Sequence, residues 1–225
     1  MNSTSNRNPV VLIHGIFDTT AIFRTMSAYL SQRGWEVHSF DLIPNYGFLG
    51  LDRLAAQITD YIDRTFPPSQ PIDLVGFSMG GLVSRYYVQR LGGIKRVQRL
   101  VTISSPHNGT WTAYFYVTPG TLQMRPQSKF IEDLNRDVAQ LDQINFTSIW
   151  TPFDGMIVPA SSSQLPVGQE VILNVLFHAW MVQDPRCLSI LAQTLSAPVK
   201  TSKPNNHQYL EVRDFRTSQV KDFRS

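Results

Sequence analysis

Short apolar runs alternate along this chain with longer stretches in which apolar residues recur every three or four positions. The short runs, rich in Val, Ile and Leu, predict buried strands: Val10–His14, Glu36–Leu42, Ile72–Phe77, Val97–Ile103, Phe146–Thr151 and Glu170–Phe177. The periodic stretches predict helices: Ala21–Arg33, Leu51–Phe66, Gly80–Leu91 and Asp184–Leu195. This alternation is typical of βα units around a mostly parallel sheet flanked by helices.

The alternation changes at residues 107–140, a mixed segment rich in aromatic residues. We interpret it as an insertion, spanning about residues 107–145, on a single α/β domain at residues 1–199.

A chain of 225 residues buries enough surface to fold without disulfides or a structural metal. Its lone Cys187 excludes an internal disulfide and a zinc site built on cysteines.

The net charge of +3 originates in residues 200–225, a basic C-terminal tail. That tail carries six basic and three acidic residues, which leaves 14 of each in the first 199. A nucleic-acid-binding protein carries a dense basic stripe on its folded surface, so we expect no nucleic-acid partner. No apolar run approaches the roughly 18 residues of a transmembrane helix, and the polar start lacks the apolar region of a signal peptide. We therefore expect a cytoplasmic protein.

The strongest motif is Gly76-Phe77-Ser78-Met79-Gly80, a G-x-S-x-G match between a predicted strand and a predicted helix. A serine on so sharp a strand-to-helix turn needs small neighbours, which the two glycines supply. The helix that starts after Ser78 directs its first amide groups at any negative charge developing there. The motif in this context predicts a nucleophilic serine.

With this motif, the chain resembles the α/β-hydrolase superfamily, and within it small bacterial triacylglycerol lipases and related esterases. Further matching stretches are Val10–Gly15 and Ser104–Thr110, and the resemblance spans about residues 9–195. It implies an α/β-hydrolase fold with a cap or lid made by the insertion. It also implies an oxyanion hole formed by the backbone N–H groups of Ile16 and Met79. His14 we interpret as a structural hydrogen-bonding residue.

The order of catalytic residues in the family is nucleophile, acid, histidine, and it favours His178 as the base because this residue follows the last predicted strand. His207 lies in the polar tail, and His107 lies where the family shapes its pocket. The acid is predicted to be Asp154, which follows the preceding strand beside a glycine. It would orient the imidazole without accepting the proton.

The aromatic insertion begins directly after the Ser104–Thr110 stretch, where the resembled lipases carry helices that cover the serine. Aromatic side chains there offer apolar area for acyl chains or for a lipid interface. We expect a mobile lid, and the alternative is a cap packed permanently on the core. The predicted substrate-binding residues are Phe17, Phe77, His107, Trp111, Tyr114 and Phe115.

The function expected from these residues is hydrolysis of lipophilic, acylglycerol-like esters through an acyl-enzyme, as in lipid degradation. An acyltransferase or a thioesterase with the same three residues is the alternative, and a non-catalytic binding protein of the same fold is a more distant one. No metal or organic cofactor is needed for this chemistry. The expected partners are the ester and, transiently through the lid, a lipid interface, and we expect a monomer.

Overall fold

The fold is built on a six-stranded sheet in which every neighbouring pair of strands is parallel. The computed structural model describes residues 7–200. Its strands are β1 (Val10–Ile13), β2 (Val37–Ser39), β3 (Ile72–Phe77), β4 (Val97–Ile103), β5 (Asn145–Trp150) and β6 (Gln169–Ile172), in the order β2-β1-β3-β4-β5-β6. Because all six run the same way, their carboxyl ends share one edge, the edge at which open α/β sheets bind ligands.

Helices cover both faces of the sheet. They are α1 (Arg24–Ser31), α2 (Leu51–Thr65), α3 (Met79–Arg90), α4 (Pro119–Gln123), α5 (Lys129–Arg136) and α6 (Pro185–Ser196), with short 3-10 helices between them. Val11 and Ile13 of β1 pack in the layer that contains α2 and α3, whereas Val10 and Leu12 pack with α1 and α6. Burial on both faces explains the continuous apolar runs in the sequence. The predicted fold class is confirmed.

The two edge strands are shorter than predicted. Strand β2 pairs only with the four-residue β1, so its ladder ends at Ser39 rather than at Leu42. Strand β6 pairs only with β5 and stops at Ile172, opposite the last residue of β5. The apolar run continues to Phe177, but the sheet offers it no further partner. His178 therefore follows a loop rather than a strand.

The insertion between β4 and β5 is anchored at its second half. Helix α5 packs in the core beside α3, and the buried Arg85 donates hydrogen bonds to the Leu134 carbonyl and the Asn135 side chain, each at 3.0 Å. Arg90 pairs with Asp133 at 2.7 Å and with Asp137 at 2.8 Å. Most side chains of residues 111–117 are exposed, although Ala113 is buried.

No helix within residues 7–200 is long and apolar enough to cross a membrane. The basic tail of the sequence prediction lies, apart from Lys200, outside the described residues. Lys200 itself donates its backbone amide to Asn145 at 3.0 Å, at the start of β5. The last described residue is therefore held at the amino edge of the sheet, opposite the predicted site.

Candidate active site

Ser78 occupies the turn between β3 and α3 in a strained backbone conformation. Its φ and ψ are 54° and −125°, a region that residues with a side chain rarely adopt. Strand β3 lies inside the sheet between β1 and β4, so the turn projects from the middle of the carboxyl edge. The strain is retained because the Ser78 N–H donates to the Ile103 carbonyl of β4 at 2.8 Å, which fixes the turn.

The two glycines of the motif allow backbone segments to touch at this turn. A Cβ on Gly76 would lie 2.6 Å from the Cα of Gly81 in the first turn of α3. A Cβ on Gly80 would lie 2.2 Å from the Ile13 carbonyl oxygen and 2.6 Å from that of His14. These contacts explain why both positions need a residue without a side chain. They also press the start of α3 against the end of β1.

The amide groups of Ile16 and Met79 make no hydrogen bond to any atom of residues 7–200. Their neighbours do: the Phe17 N–H donates to the Asn45 carbonyl at 3.1 Å, and the Ser78 N–H is bonded to β4. Buried or half-buried amides are normally paired, so two free ones beside a strained serine mark a place for an acceptor. Both lie on segments that the Gly80 contact holds together.

His14 holds the loop that carries Ile16. The imidazole is fully buried, with Nδ1 at 2.8 Å from the Gly15 carbonyl, and Nε2 accepts the Leu42 N–H at 2.9 Å. These partners require a proton on Nδ1 and none on Nε2, which is the neutral ring. The structural role predicted for His14 is confirmed by these bonds.

Asp154 and His178 form a close pair beside the carboxyl edge. Asp154 Oδ2 lies 2.7 Å from His178 Nδ1, and Oδ1 accepts the backbone N–H groups of Met156 and Ile157, both at 2.9 Å. Burial alone would raise the pKa of the Asp154 carboxyl, but the bond and charge of His178 and the two amides hold it below its ordinary value. An ionised carboxylate at Nδ1 leaves Nε2 as the free nitrogen of the ring.

The ring of His178 packs against Phe77, the residue that precedes Ser78, with ring centroids 4.7 Å apart. The pair is therefore next to the strained turn. Among the described residues, neither the Ser78 hydroxyl nor His178 Nε2 makes a hydrogen bond, and the two are not bonded to each other. Such catalytic bonds are often long before a substrate is bound.

Four of the six predicted substrate-binding residues are exposed. Phe17, Trp111, Tyr114 and Phe115 show about half or more of their surface, and Phe17 adopts a left-handed backbone with a φ of 63°. Trp111 and Tyr114 stack on each other at 5.4 Å. These four side chains are free to meet a ligand.

The other two, Phe77 and His107, are buried, so neither side chain faces solvent in this structure. Phe77 supports the imidazole of His178 instead of facing solvent. His107 is enclosed between Arg85, 3.4 Å from Nδ1, and the Thr102 hydroxyl, 2.9 Å from Nε2. Burial and the nearby Arg85 hold the pKa of His107 well below its ordinary value, so the ring stays neutral. It is part of the core that anchors the insertion.

A family model described as the alpha/beta hydrolase fold matches residues 8–143, more than half of the chain. The chain belongs to the α/β-hydrolase fold family. The match begins just before β1 and includes the turn at Ser78 and most of the insertion. Ser78 therefore lies inside the matched residues, at the turn that follows β3.

Solved structures of lipases resemble this hydrolase in fold. The mature form of the Bacillus licheniformis lipase BlEst2 matches with a TM-score of 0.70 and 14% identity, over 86% of this chain and 94% of that one. Aspergillus fumigatus lipase B matches with a TM-score of 0.74 and 18% identity, over 88% of this chain but 55% of the lipase. A Listeria innocua protein matches with a TM-score of 0.65 and 18% identity, over 88% and 97%. At these identities the likeness shows the shared fold.

Two residues of this hydrolase site escaped the sequence prediction. Asp18 is half-buried beside Ser78, and burial raises the pKa of its carboxyl, an effect that His14 and His178 partly offset. Its position three residues after the His14-Gly15 pair could have drawn attention to it. Arg85 is wholly buried, and burial lowers the pKa of its guanidinium to about 9. Nothing in the sequence distinguishes it from a surface residue of α3.

Proposed function

We propose that this hydrolase cleaves carboxylic esters through an acyl-enzyme formed on Ser78. The Ser78 hydroxyl attacks the ester carbonyl while His178 Nε2 takes its proton and later delivers it to the leaving alcohol. Asp154 keeps the imidazole in the required tautomer and stabilises its charged form. Water then repeats the sequence on the acyl-enzyme, and the free acid leaves.

The observation that carries the proposal is the Asp154–His178 pair, bonded at 2.7 Å and packed on the residue before the strained serine. The free N–H groups of Ile16 and Met79 support it further, since they would stabilise the negative oxygen of the tetrahedral intermediate. Removal of one such donor typically costs about 3 kcal/mol of transition-state stabilisation.

The test is hydrolysis of nitrophenyl esters of increasing acyl length by the wild type and Ser78→Ala. We expect the substitution to lower kcat by at least about 10³. Ser161→Ala, which changes an exposed serine of the short 3-10 helix Ala160–Ser163, is the matched control and should retain the wild-type rate. Wild-type activity in Ser78→Ala would refute the mechanism.

Release of free acid without an added alcohol or thiol favours a hydrolase over an acyltransferase. The rates on matched oxygen and sulfur esters distinguish an esterase from a thioesterase.

We further propose that the substrates are lipophilic, acylglycerol-like esters met at a lipid surface. Support comes from six apolar side chains on the loops at the carboxyl edge, each about half exposed or more, which we name the apolar rim: Phe17, Phe48, Trp111, Phe115, Val117 and Leu176. Exposed apolar groups gathered on one side of a protein are typical of an interaction surface. They surround the edge from which Ser78 projects.

Binding to phosphatidylcholine vesicles tests this surface. Phe115→Ser, at a side chain 81% exposed, should weaken sedimentation with vesicles severalfold, because burial of a Phe side chain contributes about 1.5–3 kcal/mol. Leu91→Ser is the control, since Leu91 is exposed beyond the far end of α3. Equal binding by both variants would contradict the proposal. The hydrolysis rate should also be measured as the ester concentration is raised through the solubility limit. A steep rise in rate above that limit would support a mobile lid, and an unchanged rate would support a fixed cap.

A further inference from the structure

The loop that carries the Ile16 N–H is a reverse turn that its own sequence does not favour. The Asp18 N–H donates to the Gly15 carbonyl at 3.4 Å, which closes the turn at residues 15–18. Phe17, the third residue of the turn, has a φ of 63°, whereas the φ of Ile16 is not positive. This combination is typical of a type II turn, whose third residue is normally glycine. A left-handed residue with a side chain costs about 1–3 kcal/mol, so the surroundings must hold it.

Asn45, on the loop after β2, makes two hydrogen bonds to this turn. Its carbonyl accepts the Phe17 N–H at 3.1 Å, and its side-chain amide donates to the Asp18 carbonyl. The two bonds hold the backbone before and after the left-handed residue. Asn45 is buried, and within residues 7–200 no other side chain bonds to the backbone of residues 16–18. The unfavourable turn is therefore held in place by a residue that lies far from it in sequence.

The loop that contains Asn45 is itself fixed by two helices. The Gln57 side chain of α2 accepts the Ile43 N–H at 3.0 Å and donates to the Ile43 carbonyl at 2.6 Å. The Gly47 carbonyl accepts the Gly120 N–H of α4 at 2.8 Å. Asn45 lies between these two attachments, so it can hold the turn at a defined position relative to the rest of the fold.

The turn lies directly against the serine. A Cβ built on Gly15 would lie 3.0 Å from Ser78 Cβ and 3.5 Å from Ser78 Oγ. The Ile16 N–H, the next donor along the chain, has no partner within residues 7–200, and its direction depends on the geometry of the turn. Relaxation to a type I turn, which Phe17 would adopt without strain, rotates the peptide between Ile16 and Phe17 by about 150°. Such a rotation would break the bond to Asn45 and disturb the adjoining Ile16 N–H.

We infer that Asn45 is a positioning residue for ester hydrolysis, which holds Phe17 in its left-handed conformation and so keeps the Ile16 N–H directed at the oxyanion. This inference rests on the proposed function, because it assigns a role in the same reaction. Asn45 acts through the backbone of the turn, since both of its bonds go to main-chain atoms. The oxyanion forms only as the ester carbonyl is attacked, so loss of this positioning should lower kcat and leave KM nearly unchanged.

The test is a double-mutant cycle at positions 45 and 17, with kcat and KM measured on nitrophenyl butyrate. Asn45→Ala should lower kcat about tenfold, a part of the loss of about 10²–10³ that removal of an oxyanion donor causes. In the Phe17→Gly background the same substitution should lower kcat by less than about twofold, because glycine adopts a left-handed φ at no steric cost. The Phe17→Gly single variant is the reference there, so the effect of the lost ring cancels.

Asn145→Ala is the matched control for the loss of one such bond. The Asn145 side chain also donates to a backbone carbonyl, that of Pro198 at 2.8 Å, but at the amino edge of the sheet. We expect this variant to keep the wild-type kcat even where its Tm falls as far as that of Asn45→Ala.

A wild-type kcat in Asn45→Ala would overturn the inference, and so would an equal loss of kcat with and without Phe17→Gly. Should Asn45→Ala fail to fold in thermal melting, Asn45→Asp is measured at about pH 8, where its carboxylate cannot donate to the Asp18 carbonyl. An unchanged kcat in that variant would overturn the inference as well. Wild-type hydrolysis that Ser78→Ala abolishes keeps the proposed function whichever way position 45 responds. Absence of that hydrolysis removes the proposed function, and the inference with it.

Discussion

Replacement of Gly80 by alanine should destabilise the protein although alanine is the better helix former. Gly80 lies in the first turn of α3, where intrinsic propensity favours alanine by about 1 kcal/mol. The new Cβ would lie 2.2 Å from the Ile13 carbonyl oxygen, about 1 Å short of ordinary contact. Both partners are backbone, so no side-chain rotation relieves the overlap. Overpacking of this kind costs up to about 3 kcal/mol, which leaves a net loss of about 2 kcal/mol.

The same displacement should damage the proposed chemistry. The end of β1 leads directly into the loop that carries the Ile16 N–H, and α3 begins with the Met79 N–H. Separation of the two by about 1 Å misplaces the pair of donors, and a misplacement of that size can cost about 10² in rate. Gly80→Ala should therefore lose kcat for nitrophenyl esters while its KM changes little.

Thermal melting and ester kinetics check both parts. For a domain of this size a loss of 2 kcal/mol lowers Tm by about 4–8 °C. Gly155→Ala is the matched control, because a Cβ at Gly155 would have no atom within 4 Å and its φ is not left-handed. We expect that variant to be as stable as the wild type or slightly more so. A Gly80→Ala protein with the wild-type Tm and kcat would refute the close-contact explanation.

Three further predictions follow from the packing around the site. Asp154→Asn should lower the free energy of unfolding, because the folded protein holds the pKa of this carboxyl below its ordinary value. The deficit, measured by urea unfolding, should be full at pH 6, since the unfolded pKa is about 3.9, and should shrink as the pH falls through the lower folded pKa. Phe77→Leu should lower kcat about tenfold without changing KM, because the ring supports the His178 imidazole; a change in KM alone would contradict this. Arg85→Met should cost about 2–4 kcal/mol in urea unfolding by leaving the Leu134 carbonyl and Asn135 side chain without donors, and wild-type stability would count against it.

The sheet could be predicted from the sequence because its inner strands are buried on both faces. Ile72–Phe77 and Val97–Ile103 appear in the structure with their predicted bounds. The lengths of the two edge strands were overestimated, because an apolar run indicates that residues are buried and not that they pair with a neighbouring strand. Val175 shows the difference: it is buried beyond the end of β6, where its carbonyl accepts the Thr151 hydroxyl rather than a strand partner.

At the site, the order of residues along the chain and the local motif were enough to predict that Asp154 and His178 lie close together. The two residues are 24 positions apart in sequence, and Asp154 Oδ2 lies 2.7 Å from His178 Nδ1. The burial of His107 could not be predicted, because it depends on Arg85, which reaches this turn residue from helix α3. Asp18 was overlooked for a related reason. Its closeness to Ser78 arises only in space, where the loops after β1 and β3 meet above Gly15.

The contact between Gly80 and the end of β1 separates two kinds of evolutionary change. The spacing of the Ile16 and Met79 amides is set by main-chain atoms, whereas the apolar rim consists of side chains that contribute little to the core. Rim residues can therefore be replaced, by mutation or by design, while the spacing of the two amides stays the same. Under the proposed function, replacement of the rim loops alone should direct this scaffold to new esters.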